Sequence, residues 1–328
     1  MPYSPPFELT HSMIRLVAEI SQQVGEWTAT NKDKLVPKLR KENRIRTIQA
    51  SLAVEQNTLS LEQVTALVDG KAVLGSPKEI QEVHNAFAVY ESMDKWNETS
   101  GDDLLKAHAI MMKGLLTDAG QWRNGGAGIY RGDQLVHMAP PANQVPRLMI
   151  QLMDWLKKTD AHPLIASAAF HYEFEFIHPF SDGNGRIGRF WQTLVLKRWH
   201  PLLAFLPVET VIKARQEEYY HSLREADAKS DCSVFIEFLL SAINESLTEA
   251  IQSEEKTRVE MKDKTRVKTA DQILEVLKES PSLALVDVAN QIGRSVSAVE
   301  RAVSKLKHEG RLEYEGPKKN GVWVVREI

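Results

Sequence analysis

The stretch "HPFSDGNGRIGR", residues 178–189, gathers a histidine, an acid, two glycines flanking an asparagine, and two arginines into one short run. Gly183, Asn184 and Gly185 fall between the end of one apolar-periodic segment and the start of the next. Permissive backbone there lets successive amide hydrogens point into one concavity, which suits phosphate oxygens. The helix behind adds the partial positive charge of its N-terminus, and Arg186 and Arg189, one turn apart, lie on one face aimed at the same anion. Asp182, just ahead of the nest, suits a magnesium ion bridging phosphate oxygens, because that ion usually takes one or two carboxylates plus phosphates. His178 is left for proton chemistry: a neutral imidazole can take the proton of a hydroxyl as it strikes a phosphate. Together these residues read as a nucleotidyl-transfer site. Singly, each has a plainer reading, with His178 capping a helix, Asp182 forming a turn and each arginine in a surface ion pair. Phe180 reads as an apolar anchor that fixes where His178 and Asp182 point.

The same residues match "HPF-x-[D/E]-GNGR-x-x-R" at every specified position, and the chain therefore resembles the Fic family. The resemblance continues upstream through "LRKENRIRTIQASLAVEQNTLSLEQV" and covers roughly the first three-quarters of the chain. It implies a helical bundle with a small β-hairpin flap, and AMPylation, the transfer of AMP from ATP to a protein hydroxyl (Ser, Thr or Tyr). It makes His178 the general base, Asp182 the magnesium ligand, Gly183, Asn184 and Gly185 the phosphate cradle, and Arg186 and Arg189 the cationic clamps. It also makes Tyr219 or Tyr220, in "EEYYHSL", a candidate to line the adenine pocket; core packing is the competing reading for each. The hairpin that includes Ala127, Gly128, Ile129 and Tyr130 matches the family's flap, which docks the target by strand addition.

The family's inhibitory motif is "[S/T]-x-x-x-E-[G/N]". Here "SLAVEQN" supplies Ser51 and Glu55, then Gln56, with Asn57 one place later. A glutamate delivered to the clamp can take Arg189 in a charge-assisted pair and leave a terminal phosphate without its partner. Because Gln56 stands where a helix-ending residue is usual, the helix is expected to run slightly further and present Glu55 less firmly. The plain reading of Glu55 is an exposed helix glutamate.

The elements that must position these residues are mostly helices. Apolar residues recur at three and four spacing, as in Leu9, Met13, Leu16, Val17 and Ile20. "GIYRGDQLVHM" alternates about Gly132-Asp133 and predicts a hairpin at 127–138 that Pro140 and Pro141 terminate. "LIASAAFHYEFEFI" is a helix that must end near His178, because Pro179 disfavours helical geometry before it. Within it, the spacing of His171, Glu173 and Glu175 spreads them round the helix, so they are read as solvated or satisfied side chains rather than a metal site. "RIGRFWQTLVLKRW" starts the next helix.

The charged run 254–268 marks an exposed helical or flexible connector. The division that follows is an N-terminal helical region at 1–110 with the inhibitory helix around 47–57, a catalytic core at 111–253, the connector, and a module at 269–328. That module orders three helices and two strands about a Gly-Pro-Lys-Lys turn, as in a winged helix. Its third helix offers Arg294, Arg301 and Lys305, so a DNA-binding regulator is the competing class. Residues 269–328 nevertheless hold nine basic and nine acidic residues, giving no net attraction for a phosphate backbone. Protein docking or homodimer formation suits the module as well, and DNA is the less favoured partner. Two further alternatives stay open within the family, another nucleotide or the removal of AMP.

Composition sets the outer limits. The chain has 328 residues, is 43% hydrophobic, and carries 41 basic against 44 acidic side chains, so it can bury a core and has no charge excess that calls for nucleic acid or membrane. Cys232 is the single cysteine, which excludes an intrachain disulfide and a cysteine zinc cluster and leaves a small packed residue as its reading. No stretch approaches the ~18 uninterrupted apolar residues of a membrane span, and the N-terminus lacks a signal-peptide pattern, so the cytoplasm is the expected compartment.

Overall fold

The computed structural model describes residues 3–31, 37–131, 134–317 and 321–326. Contacts divide the chain into two units, residues 1–251 and 252–328.

The first unit begins with α1 (His11–Asn31), whose Met13, Leu16, Ile20, Val24 and Trp27 are buried on one face. Leu9 precedes this helix and stays exposed. Next come α2 (Pro37–Val54), α3 (Leu61–Val68), α4 (Pro77–Glu91) and α5 (Gly101–Met111). Ser60 caps α3 through a capping box, and Ser76 and Ser100 cap α4 and α5 by accepting from the third backbone N–H of each helix. In α2 the residues Ile45, Ile48, Ala50, Leu52 and Val54 are buried, and so are Asn43, Thr47 and Ser51. The helix is therefore enclosed on more than one side, and it packs on α3, α4 and two helices from later in the chain, α8 (Asn184–Trp199) and α9 (Val208–Ala214).

Strands β1 (Gly128–Arg131) and β2 (Gln134–Met138) pair antiparallel, with Gly128 opposite Met138, Ile129 opposite His137 and a register shift between Ile129 and Tyr130. The predicted turn residues Gly132 and Asp133 lie outside the described residues. Then follow α6 (Val145–Lys158) and α7 (Pro163–Ile177), and after α8 and α9 come α10 (Gln216–Lys229) and α11 (Ser233–Glu279), which includes the 254–268 segment. Helix α7 is buried almost all round, so it forms the middle of the bundle, with α8 directly against it. Gly188 permits that approach, since a Cβ there would lie 3.0 Å from the Phe174 ring and from Glu175 Oε1.

The second unit takes the C-terminal part of α11, then α12 (Leu285–Gln291), α13 (Val296–His308) and an antiparallel pair, β3 (Leu312–Glu315) and β4 (Val322–Val325). Ile273, Leu277, Val288, Val299, Val303, Leu306 and Leu312 form its own core. Lys318 and Lys319 of the expected turn lie outside the described residues.

The loop between α7 and α8 is fixed by three side chains. Phe180 is fully buried and stacks on His108 at 3.6 Å and 4°, with Trp122 at 5.1 Å. His108 in turn holds Asp182: Gly120 N donates to its Nδ1 at 2.9 Å, so Nε2 carries the proton and donates to the Asp182 carbonyl at 3.0 Å. Asn184 brackets Phe180, its Oδ1 accepting from Phe180 N and its Nδ2 donating to Phe180 O, both at 2.9 Å.

Phe180→Ala is expected to cost about 3–5 kcal/mol of stability, the usual loss for a buried aromatic, measured as a shift of the denaturant midpoint. A loss below ~1 kcal/mol would show that the ring does not anchor the loop. Burial pushes His108 down to about 4. Between pH ~6.5 and ~4 the unfolded chain therefore binds a proton that the folded chain refuses. Stability contributed by neutral His108 is complete above ~6.5 and falls as pH drops towards 4, with a slope approaching ~1.4 kcal/mol per unit. His108→Gln should be less stable at pH 7.5 yet lose less on acidification; parallel stability curves would remove His108 as a source of the acid sensitivity.

Candidate active site

Helix α7 ends where Pro179 requires. His178 is its C-cap in the left-handed region, φ 49° and ψ 62°, with its N–H donating to Phe174 O at 3.0 Å. That backbone costs a non-glycine residue about 1–2 kcal/mol. Arg123, only 4% exposed, offsets the strain. Its Nε donates to the His178 carbonyl at 2.7 Å, Nη2 to Ile177 O at 3.3 Å, and its backbone N–H to Pro179 O at 2.9 Å. The same guanidinium donates from Nη1 to Gly125 O at 2.7 Å and from Nη2 to Pro140 O. One cation thus ties the half-buried His178 to both stems of the β1–β2 hairpin, at the helix C-terminus where a positive charge is favoured. Ala127 joins the hairpin through its carbonyl, which accepts from Ala139 N at 3.1 Å.

Gly183 is the N-cap of α8, with φ 83°. A Cβ there would lie 2.6 Å from Met112 Sδ, so glycine is needed for backbone and for space alike. The Asn184 side chain is bonded to Phe180 and is 2% exposed, so it shapes the loop. Only its backbone remains for a cradle.

Arg186 donates from Nη1 to Glu82 Oε1 at 3.2 Å and from Nη2 to Asp182 Oδ1 at 3.0 Å. The Asp182 side chain is 52% exposed beside the cradle, and among the described residues no group of three or more metal-type ligands exists. A half-exposed carboxylate that leaves the other positions to phosphates and water fits magnesium.

Arg189 is 2% exposed and enclosed by α2. Its Nε donates to Ser51 Oγ at 3.1 Å, and its Nη2 donates to the Ser51 carbonyl at 2.9 Å and to Glu55 Oε1 at 2.8 Å. Burial pulls the guanidinium down, but the Glu55 carboxylate and neighbouring groups more than compensate, so it is held above the usual arginine range. Gly185 makes this pairing sterically possible: a Cβ there would lie 2.3 Å from Glu55 Oε1 and 2.9 Å from Arg189 Nη1. The Glu55 carboxylate therefore fills the space beside the first turn of α8 that the sequence assigns to an anion.

The helix does not run past Glu55. It ends at Val54, and Gln56 takes the left-handed conformation, φ 69°, in the place where glycine or asparagine is usual. Asn57 N closes the turn on Leu52 O at 3.1 Å, while Lys213 Nζ and Gln216 Nε2 donate to the carbonyls of Ala53 and Val54. Side chains from α9 and α10 supply the ending that Gln56 does not favour.

Behind Arg189 lies a buried polar layer. His171 Nε2 and the Tyr219 hydroxyl are 2.9 Å apart, and His171 Nε2 lies 3.9 Å from Glu175 Oε1. Burial lowers His171 to about 3 and raises Glu175 to about 7, although Arg189 pulls Glu175 back down. These two acid–base groups sit one turn apart on the same side, and Glu173 is bonded by the Tyr3 hydroxyl, so none of the three is solvated. Tyr219 is 2% exposed among Phe235, Phe238 and Tyr220, which favours core packing, the second of its two readings. Tyr220 is half-buried. Cys232 is buried, as read. Arg123, His108 and Glu82 had no motif to announce them; their partners are distant in the chain and mostly backbone atoms.

The Fic/DOC family profile matches residues 98–196. Two curated relatives, each called protein adenylyltransferase Fic, are those of Nematostella vectensis, 28% identical over 246 residues, and Culex quinquefasciatus, 27% over 227 residues. The alignments cover 68% and 66% of this chain but 54% and 43% of those proteins, so the chain spans about half the length of the curated relatives it matches. A Fic family protein from Desulfovibrio desulfuricans G20, solved by crystallography, is 46% identical with a TM-score of 0.77, covering 99% of this chain and 98% of that one. With that likeness running end to end, and with the profile lying across the histidine loop, the hairpin and the two arginines, the chain belongs to the Fic family.

Proposed function

We propose that the protein transfers AMP from ATP to a hydroxyl of a protein target, itself included, and that Glu55 restrains the transfer. The observation that carries this reading is the Glu55 carboxylate on Arg189 in the space Gly185 leaves open. A site built for a carboxylate at a helix start suits a phosphate equally well, and the two exclude each other. Arg189 and Arg186 would hold the outer phosphates. His178 takes the proton as the target oxygen bonds to the α-phosphorus, and the bond to the bridging oxygen breaks to release pyrophosphate. Magnesium on Asp182 would supply charge neutralisation of the phosphate chain. The β1–β2 hairpin, through Ala127, Gly128, Ile129 and Tyr130, would seat the target as an added strand, and Tyr220 is the remaining tyrosine for the base. Arg123 would keep that seat in register with His178.

The second unit supports a winged-helix reading through its order α12, α13, β3, β4. One groove there is lined by Arg294, Arg301, Lys305 and Arg311. Lys305 and Arg311 pair with Glu309 and Asp271, both at 3.5 Å, so part of this charge is already compensated. Protein docking or self-association is therefore favoured over DNA for this unit. No helix among the described residues is long and apolar enough to cross a membrane.

His178→Ala should lower covalent labelling from labelled ATP by ~10²–10⁴-fold, with ATP affinity within about twofold of wild type. Unchanged labelling would remove His178 as the base. Glu55→Gly should raise self-labelling roughly tenfold to a hundredfold, since a charge-assisted pair contributes ~1.5–3 kcal/mol. Adding Arg189→Ala should abolish the gain. Equal labelling in wild type and Glu55→Gly would reduce Glu55 to a structural glutamate.

A further inference from the structure

Both arginines of the loop are held by carboxylates from outside it. Arg189 has Glu55, and Arg186 has Glu82 of α4. Glu82 is 7% exposed and uses its two oxygens differently: Oε1 accepts from Arg186 Nη1 at 3.2 Å, and Oε2 accepts from Asn57 Nδ2 at 2.8 Å. Asn57, 8% exposed, stands two residues after Glu55. Its Nδ2 also donates to Glu79 O at 3.2 Å, its Oδ1 accepts from Leu59 N at 3.1 Å, and its backbone N–H closes α2 on Leu52 O. The exit of α2 is therefore pinned at two points, Glu55 on Arg189 and Asn57 on Glu82. Among the described residues, Arg186 Nε is a buried donor with no acceptor. Such a donor on a cation is costly to leave unmade, and a phosphate oxygen would satisfy it.

We propose that Glu82 is a positioning residue that couples the two arginines, aiming Arg186 at the anion site with one oxygen and holding Asn57, and so Glu55, in register with the other. The carboxylate divides its charge between a cation that is to meet phosphate and the amide that keeps the inhibitory segment seated. A displacement of Arg186 towards a phosphate is thus felt two residues from Glu55. This also gives Asn57 its role: Gln56 makes the turn, and the asparagine one place later makes the latch. The proposal rests on the transferase reading only in treating Arg186 as a phosphate ligand.

The test uses full-length Asn57→Ala and Glu82→Gln, with amide hydrogen exchange, calorimetry with a non-hydrolysable ATP analogue plus magnesium, and self-labelling. Asn57→Ala should speed exchange at residues 54–59 roughly tenfold, the value of one hydrogen bond to a charged group, and raise labelling severalfold with Glu55 present and analogue affinity undiminished. Glu82→Gln should give the same local rise in exchange and weaken the analogue roughly tenfold, because Arg186 loses the carboxylate on Nη1 and keeps only Asp182 on Nη2. Wild-type exchange at 54–59 in both variants would overturn the coupling. Undiminished or tighter analogue binding in Glu82→Gln would make Glu82 a competitor for Arg186 and overturn its positioning role. Exchange rising equally in α1 would also overturn the proposal, because general loosening would account for it. The expected exchange and affinity changes with no labelling in any variant, wild type included, would uphold the coupling and sink the transferase reading.

Discussion

Arg189 is a permanent cation buried to 2% of its surface, and such a group must have an anion beside it or the fold loses several kcal/mol. The Ser51 hydroxyl and carbonyl satisfy part of its fork, and Glu55 supplies the charge. Much of the first unit follows from that requirement. Helix α2 is enclosed by the bundle instead of lying on its surface, and position 185 carries no side chain. The Glu55 carboxylate is thus a structural requirement of the fold: one anion can be exchanged for another, but the space cannot be left neutral without cost.

The loop that carries His178 is held by a different economy. Its backbone is strained at His178 and tight at Gly183, and the compensation comes from side chains bonding to main-chain carbonyls and amides. Arg123 gathers the carbonyls at the end of α7 together with those at the two hairpin stems, Asn184 brackets Phe180, and neutral His108 holds Asp182 from beneath. Bonds to backbone atoms fix where a loop goes without depending on which side chains it bears. The backbone at His178 and Asp182 is thereby held through its carbonyls, and the Asp182 carboxylate meets Arg186 and Gly183 N.

The ending of α2 shows how tertiary contacts can override a local preference. Gln56 is a poor residue for a left-handed position, costing about 1–2 kcal/mol relative to one that adopts it readily. Lys213 and Gln216 on the last carbonyls, and Asn57 on Glu82, offset that cost from three different helices. Glu55 is consequently presented to Arg189 despite the unusual residue after it.

The sequence by itself determined what short-range chemistry determines. Pro179 stops α7, the glycines at 183 and 185 open the start of α8, Arg186 and Arg189 share a face, alternation marks the hairpin, and Ser51 and Glu55 fall one turn apart. Each of these acts over a few residues, so composition and spacing are enough to read it. Tertiary structure alone decided that Asn184 braces Phe180, that Tyr219 is core while Tyr220 stays half-buried, that Gln56 ends the helix, and that His171 and Glu175 back Arg189 from within. It alone supplied Glu82, His108 and Arg123. The reason is distance along the chain: Arg186 meets Glu82 across 104 residues, His108 meets Asp182 across 74, and Arg123 meets His178 across 55. A buried charge or an unpaired carbonyl sets the demand for a partner, but only the packed bundle determines which distant side chain is near enough to meet it.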